Sequence, residues 1–166
     1  RHTRLQGDWS SDVCSSDLGS FHGKLMLAGN EGAKKGGIFD WVPPASWRPT
    51  GDQPGVDQVY SFAMYGGALF AGTWPEAKVF RREKEGEWAD VGRLGSELEV
   101  MGMATYNGAL YAGTLPLAEI YRYDAPLKWS KVGRIDHTPE VRYRRAWSMA
   151  IYQGKLFCGE IGRAHV

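Results

Sequence analysis

Cysteine is scarce in this chain, with only Cys14 and Cys158 among 166 residues. That is too few for a disulfide framework or a cysteine-based metal cluster. No apolar run approaches the roughly 18 residues that a membrane-spanning helix needs. Helical periodicity is missing as well: no window keeps an i, i+3, i+4, i+7 apolar stripe for three turns without a Gly or Pro. There is no excess of one charge, with 20 Lys and Arg against 19 Asp and Glu. Such a balance argues against a dedicated nucleic-acid or anionic-membrane surface. Catalytic strings are absent too: there is no G-x-S-x-G, no Walker loop, no H-E-x-x-H and no Cys-His pair. His22 and His137 stand singly, without ligand spacing, so neither a metal nor a cofactor is expected.

What the chain has instead is a repeat. Tyr106-Asn107-Gly108-Ala109-Leu110-Tyr111-Ala112-Gly113-Thr114 echoes Tyr65-Gly66-Gly67-Ala68-Leu69-Phe70-Ala71-Gly72-Thr73. A shortened copy follows at Tyr152 to Gly159, and a worn one precedes at Phe21 to Gly29. Tyr65 to Tyr106, Trp47 to Trp88 to Trp129, and Gly51 to Gly92 to Gly133 all keep a spacing of 41 residues. The first copy opens 44 residues ahead of the second, Gly23 to Gly67, and the run Asn30 to Gly37 can absorb the difference as a loop. The last copy is displaced to 46, Gly108 to Gly154, within the basic segment before Trp147. A fixed period with insertions confined to loops marks units that lean on their neighbours.

Each unit reads as four short strands. In the third unit, Val100 to Tyr106 is apolar, and Asn107-Gly108 supplies two positions that tolerate positive φ, a strong hairpin signal. Ala109 to Thr114 returns, Pro116 breaks the ladder, Glu119 to Asp124 alternates, and Trp129 to Ile135 forms an outer strand. Four strands in about 41 residues match the blade of a β-propeller. The expected fold is therefore all-β, an incomplete β-propeller of four-stranded antiparallel blades.

Both ends read differently. Arg1-His2-Thr3-Arg4 with Asp8 to Leu18, and Glu160 to Val166, resemble translated sequencing-library adapter, with Leu5-Gln6-Gly7 as a variable index. Residues 1–18 and 160–166 are thus expected to be non-native tails, the first of them disordered. The insert 19–159 keeps 17 basic and 15 acidic residues and one cysteine, Cys158. Its blades are expected at about 19–58, 59–99, 100–144 and, in part, 145–159. Three and a half units fall short of the roughly four to eight that close a propeller, so the remaining blades of a parent protein are expected partners.

The pattern Tyr-x-Gly-x-Leu-Tyr-Ala-Gly-Thr, then Ile-Tyr-Arg-Tyr-Asp, then Trp-x-x-Val-Gly resembles kelch-like β-propellers and the bacterial propellers called sialidase-like. Ala71-Gly72-Thr73 stands where a kelch blade carries Gly-Gly, and no Asp-box occurs. The leading expectation is a non-catalytic scaffold that binds a glycan, a small molecule or a protein partner. The alternative is a sialidase-like glycoside hydrolase, which the resemblance would equip with a Tyr nucleophile, a carboxylate and Arg clamps.

Candidate residues come from the loops that enter the first strand and leave the second, which should share one end of the blades. Trp74 and Glu76 break the repeat there, whereas Thr73, Pro75, Thr114 and Pro116 recur and suit a structural role. Glu140, Arg142, Tyr143 and Arg144 lie in the densest unusual segment. Arg forks bind carboxylates bidentately, and Arg142 and Arg144 could converge while Arg145 points away. The plainer reading is a solvated loop paired with nearby acids. The hydrolase alternative would draw on Tyr143, Glu76, Glu140 and Arg144. Trp47, Trp88 and Trp129, with Tyr65, Tyr106 and Tyr152, are expected in the core between blades.

Overall fold

The computed structural model describes residues 18–30, 36–51, 53–84, 86–139 and 142–160, and every regular element among them is a strand. The first sheet holds β1 (Leu18–Phe21), β2 (Lys24–Asn30), β3 (Gly36–Val42) and β4 (Ser46–Pro49). The second holds β5 (Gln58–Tyr65), β6 (Ala68–Trp74), β7 (Lys78–Lys84) and β8 (Glu87–Arg93). The third holds β9 (Glu99–Tyr106), β10 (Ala109–Leu115), β11 (Glu119–Ala125) and β12 (Lys128–Arg134). A hairpin of β13 (Ala146–Tyr152) and β14 (Lys155–Glu160) follows. All pairings are antiparallel between strands consecutive in the chain, and no sheet closes into a barrel. The third sheet matches the sequence reading to within a residue or so at each strand end. The tails lie outside the described residues, except that β1 takes in Leu18 and β14 takes in Glu160.

Local chemistry explains the hairpins. At His22-Gly23, Gly66-Gly67, Asn107-Gly108 and Gln153-Gly154 both central residues have φ between 46° and 78°. Such two-residue turns match the twist of the strands they join. They also bring all four first-to-second-strand turns to one end of the sheets.

Glycine at the end of the second strand has another cause. A Cβ on Gly72 would lie 2.5 Å from Val100 Cγ1, and one on Gly113 would lie 2.5 Å from the Ala146 carbonyl oxygen. The first strand of each following sheet crosses there, with the Val100 side chain over Gly72 and the Ala146 backbone over Gly113. Gly113→Ala should therefore cost about 1–3 kcal/mol by overpacking, read as a lowered urea midpoint. Gly133→Ala, which meets nothing within 4 Å, is the matched control and should leave the midpoint unmoved.

The core lies between sheets. Met26 and Ile38 of the first sheet pack on Val59, Leu69, Ala71 and Phe80 of the second. Phe70, Val79 and Val91 of the second pack on Val100, Leu110, Tyr121 and Tyr123 of the third. Ala118 and Ile120 meet Ala146 of the hairpin. Each fully buried Leu, Val or Phe contributes about 1.5–3 kcal/mol, so these seams hold the arrangement together.

The outer strands are tied by the periodic tryptophans. Trp88 Nε1 donates to the Thr50 carbonyl at 2.9 Å, and Trp129 Nε1 donates to the Val91 carbonyl at 3.0 Å. Both are half-buried seam residues rather than core. Trp47, in the same phase, is 39% exposed and its ring meets Trp41 of its own sheet, because no described sheet precedes it. Tyr65 reaches Tyr123 of the next sheet, and Tyr106 donates to the Gly154 carbonyl at 2.6 Å. Tyr152 is 63% exposed, since no described sheet follows it. For Trp47 and Tyr152 the core expectation fails for that one reason.

Candidate functional site

At the end opposite the hairpin turns, the loops join into a continuous hydrogen-bonded belt. Ala77 N donates to Leu98 O at 2.8 Å, and Leu94 N donates to Ala77 O at 3.0 Å. Leu98 N donates to Leu115 O, Ile135 N to Ala118 O, and Arg144 N to Pro116 O. Leu117 and Arg144 form a parallel bridge across the last junction. The loops entering the first strands and leaving the second strands thus do share one end.

Threonine closes the second-to-third-strand loops of the second and third sheets. Thr73 Oγ1 donates to Lys78 O at 2.9 Å, and Thr114 Oγ1 lies 3.1 Å from Glu119 O. Thr73 and Thr114 are buried, and the Trp74-Pro75 and Leu115-Pro116 peptides are both cis. The structural reading of Thr73 and Thr114 holds. Glu97 adds a link that the repeat does not contain. Its carboxylate, 1% exposed, accepts from the Thr114 hydroxyl at 2.6 Å and from Leu117 N at 3.0 Å.

The residues singled out in the sequence sit at this end in different settings. Trp74 is half-buried, and its carbonyl accepts from Asp57 N. Glu76 is exposed and lies 2.6 Å from Lys78 Nζ, which holds its carboxyl below the ordinary carboxylate range. Glu140 lies outside the described residues. Arg142 and Tyr143 are exposed, with the guanidinium 5.9 Å from the ring centre. Arg144 is buried, with Nε 2.8 Å from Asp136 Oδ2. The N–H is not aimed squarely at that oxygen, so the contact is a charge pairing more than a hydrogen bond. Thr138 donates to Asp136 Oδ1 from its hydroxyl at 2.6 Å and its amide at 2.8 Å. Those bonds first, and Arg144 second, hold the Asp136 carboxyl below its ordinary range. Arg142 and Arg144 do not converge: Arg142 is solvated, while Arg144 anchors the loop.

Three polar residues stand at the loop-end mouths of neighbouring first strands, and of them the sequence pattern sets only Gln58 outside the loops named above. Gln58 opens β5 and Glu99 opens β9, 41 residues apart. Arg145 immediately precedes β13, at the shifted spacing of 46. Carrying the displaced last copy back to the strand entry would have found this triplet. Gln58 accepts a hydrogen bond from Tyr60. The Arg145 guanidinium lies 5.7 Å from the Trp147 ring centre, and its Nε meets no hydrogen-bond acceptor among the described residues. Burial pushes the Glu99 carboxyl up, and the positive charge of Arg145 opposes the rise.

The sign of the Glu99 effect is testable. A raised carboxylate keeps its proton longer in the native state than in the unfolded chain. Its contribution is therefore fully present below the unfolded pKa and is lost as pH rises through the native one. Glu99→Gln should stabilise the protein at pH 7, and the gain should vanish towards pH 4. Urea midpoints measured across that range would check it, and a gain that grew on acidification would contradict it.

A second carboxylate lies just outside the belt. Burial disfavours ionised Glu119, but hydrogen bonds from Lys131 and from the Tyr121 hydroxyl outweigh it and lower the pKa. Burial and the Glu119 contact in turn push the Tyr121 phenol up. Among the described residues no group of three His, Cys, Asp or Glu side chains is placed to hold a metal ion. No helix among them is long and apolar enough to cross a membrane. No family model matches the chain, and no curated protein matches it.

Proposed function

We propose that this chain is an arc of a kelch-like β-propeller whose loop end binds a glycan or small molecule without turning it over. The observation that carries the reading is the loop belt. It fixes the loops through Glu97 and Arg144 while leaving the exposed Arg142–Tyr143 pair, the half-buried Trp74 and the exposed Glu76 at the same end. Aromatic faces and charged forks on a rigid scaffold are the usual means of recognising sugars and small polar ligands. The hydrolase alternative needs Arg144 as a free clamp, and its pairing with Asp136 ranks that reading second.

The ring itself is supported by the unfilled phase of the last unit. Val91 is 1% exposed under the following sheet, while its counterpart Val132 is 58% exposed. Gly51 and Gly92 have φ of 97° and 118°, and a Cβ on either would crowd the backbone of the following sheet. Gly133 keeps the residue with neither the positive φ nor the neighbour. A further outer strand would bury Val132 and use Gly133, as expected if more blades continue the arc.

A glycan array probed with the full chain tests the binding reading, followed by calorimetry on any hit. Trp74→Ala and Tyr143→Ala should each weaken binding at least tenfold. Affinity unchanged in both variants would overturn the assignment to the loop end. A fluorogenic sialoside hydrolysed by the chain would overturn its non-catalytic part.

A further inference from the structure

The two seams between four-stranded sheets are built to one plan, and they differ at one position in a way that points to a second site. In the second seam, Tyr123 fills a box of aromatic rings. Its ring centre lies 6.0 Å from Tyr65, 5.4 Å from Phe70 and 5.0 Å from Trp129. In the first seam, the residue in the phase of Tyr123 is Arg82. Phe21, Met26 and Trp88 take the phases of Tyr65, Phe70 and Trp129. The guanidinium lies 5.6 Å from the Phe21 ring centre, 6.0 Å from Trp88 and 3.2 Å from Met26 Sδ. A cation has replaced the aromatic plug, and buried Asp40 accepts its two forks at 3.2 and 3.3 Å.

Above this pair the seam stays open. A cleft of about 380 Å³ lies at the hairpin-turn end, between the β1–β2 and β5–β6 turns and the end of β7. Its size falls within the roughly 300–1,000 Å³ usual for small-molecule sites. Lys24, Arg81, Arg82 and Lys84 line it against a single acid, Glu83, and the stacked rings of Phe21 and His22 form an apolar wall. Lys24 lies 3.9 Å from Asp40, Arg81 pairs with Glu83, and Lys84 pairs with Glu87 at 2.8 Å. The Lys84 pair is exposed on both sides, and such pairs contribute little to stability, so a ligand anion can take over the lysine at little cost. Several cations around a concave surface also concentrate anions there.

We propose that this cleft binds a small phosphate-bearing molecule, with Lys24 and Lys84 meeting the anion and the Arg82–Asp40 pair forming a fixed floor. The site is at the end opposite the loop belt and does not depend on the function proposed for that face. Inorganic phosphate and glucose 6-phosphate are the probes, titrated into the full chain at constant ionic strength while tryptophan fluorescence and thermal midpoint are followed. Saturable binding of either probe is expected, absent for glucose. Lys24→Ala and Lys84→Ala should each weaken it at least threefold and together more than tenfold, with Arg82 left intact to preserve the seam. Lys128→Ala, outside the cleft, should leave it unchanged. No saturable response to either probe, equal binding of glucose, or full affinity in the double variant would overturn the proposal. The Trp74→Ala and Tyr143→Ala proteins should bind phosphate normally, which separates this site from the loop face.

Discussion

Arg82→Ala is expected to lower the unfolding free energy by about 3 kcal/mol, the low end of the range found when one partner of a buried ion pair is removed, because Lys24 and Arg48 still face Asp40 at 3.9 and 4.0 Å. Asp40 is 1% exposed and Arg82 is 6% exposed, so the abandoned carboxylate could not rehydrate without opening the first seam. The loss also empties a space between Phe21, Met26 and Trp88 that the guanidinium fills. Asp40→Ala should be costly for the converse reason, although Lys24 and Arg48, at 3.9 and 4.0 Å from Asp40, would then repel Arg82 as well. The Asp40→Ala, Arg82→Ala double variant should be less destabilised than the sum of the singles, because neither charge is left stranded. Urea denaturation of the four proteins measures this directly. Arg82→Tyr offers a second check: with Asp40→Asn it copies the aromatic plug of the second seam and should regain much of the lost stability. A single Arg82→Ala loss under 1 kcal/mol would mean that the pair is not buried as described.

Glu97→Ala should cost about 3 kcal/mol or more. Hydrogen bonds to a charged acceptor contribute about 1.5–3 kcal/mol each, and Glu97 accepts two while 1% exposed. Removing it leaves Leu117 N without a partner in the loop after β10. Exchange of the Leu117 amide should accelerate more than that of the Leu110 amide, which lies inside a strand. Since Leu117 also bridges to Arg144, ligand binding through Tyr143 should weaken in the same variant. Glu97→Gln keeps an acceptor and should lose less. Equal exchange at Leu117 in wild type and Glu97→Ala would show that the belt does not depend on this carboxylate.

Much of the local structure was legible because it is written locally. The Asn107-Gly108 turn follows from the positive φ that these residues tolerate, and Pro116 marks the break after β10 for lack of an N–H. The candidate site was legible only in part. The loop end was placed correctly from strand order, and the recurring Thr73 and Thr114 were read correctly as structural. Burial within the basic segment was not legible. Alternation put Arg142 and Arg144 on one side, but the segment before β13 is a loop that follows Pro116 and Asp136 rather than a strand with a regular pleat. Glu97 and Glu99 differ by two residues, yet one is a buried, hydrogen-bonded loop anchor and the other a half-buried strand entry beside Arg145.

The sequence by itself determined the strands, the turns, the step of 41 residues and the glycines at each crossing, since backbone propensity and a repeating pattern need only near neighbours. Only the tertiary structure decided what each repeated position does. Trp88 and Trp47 share a phase but not a burial, because one has a sheet before it and the other has none among the described residues. Arg82 and Tyr123 share a phase but not a chemistry, because Asp40 faces Arg82 from 42 residues away across the first seam. Contacts of that range are fixed by which sheet faces which, and no window of sequence contains both partners.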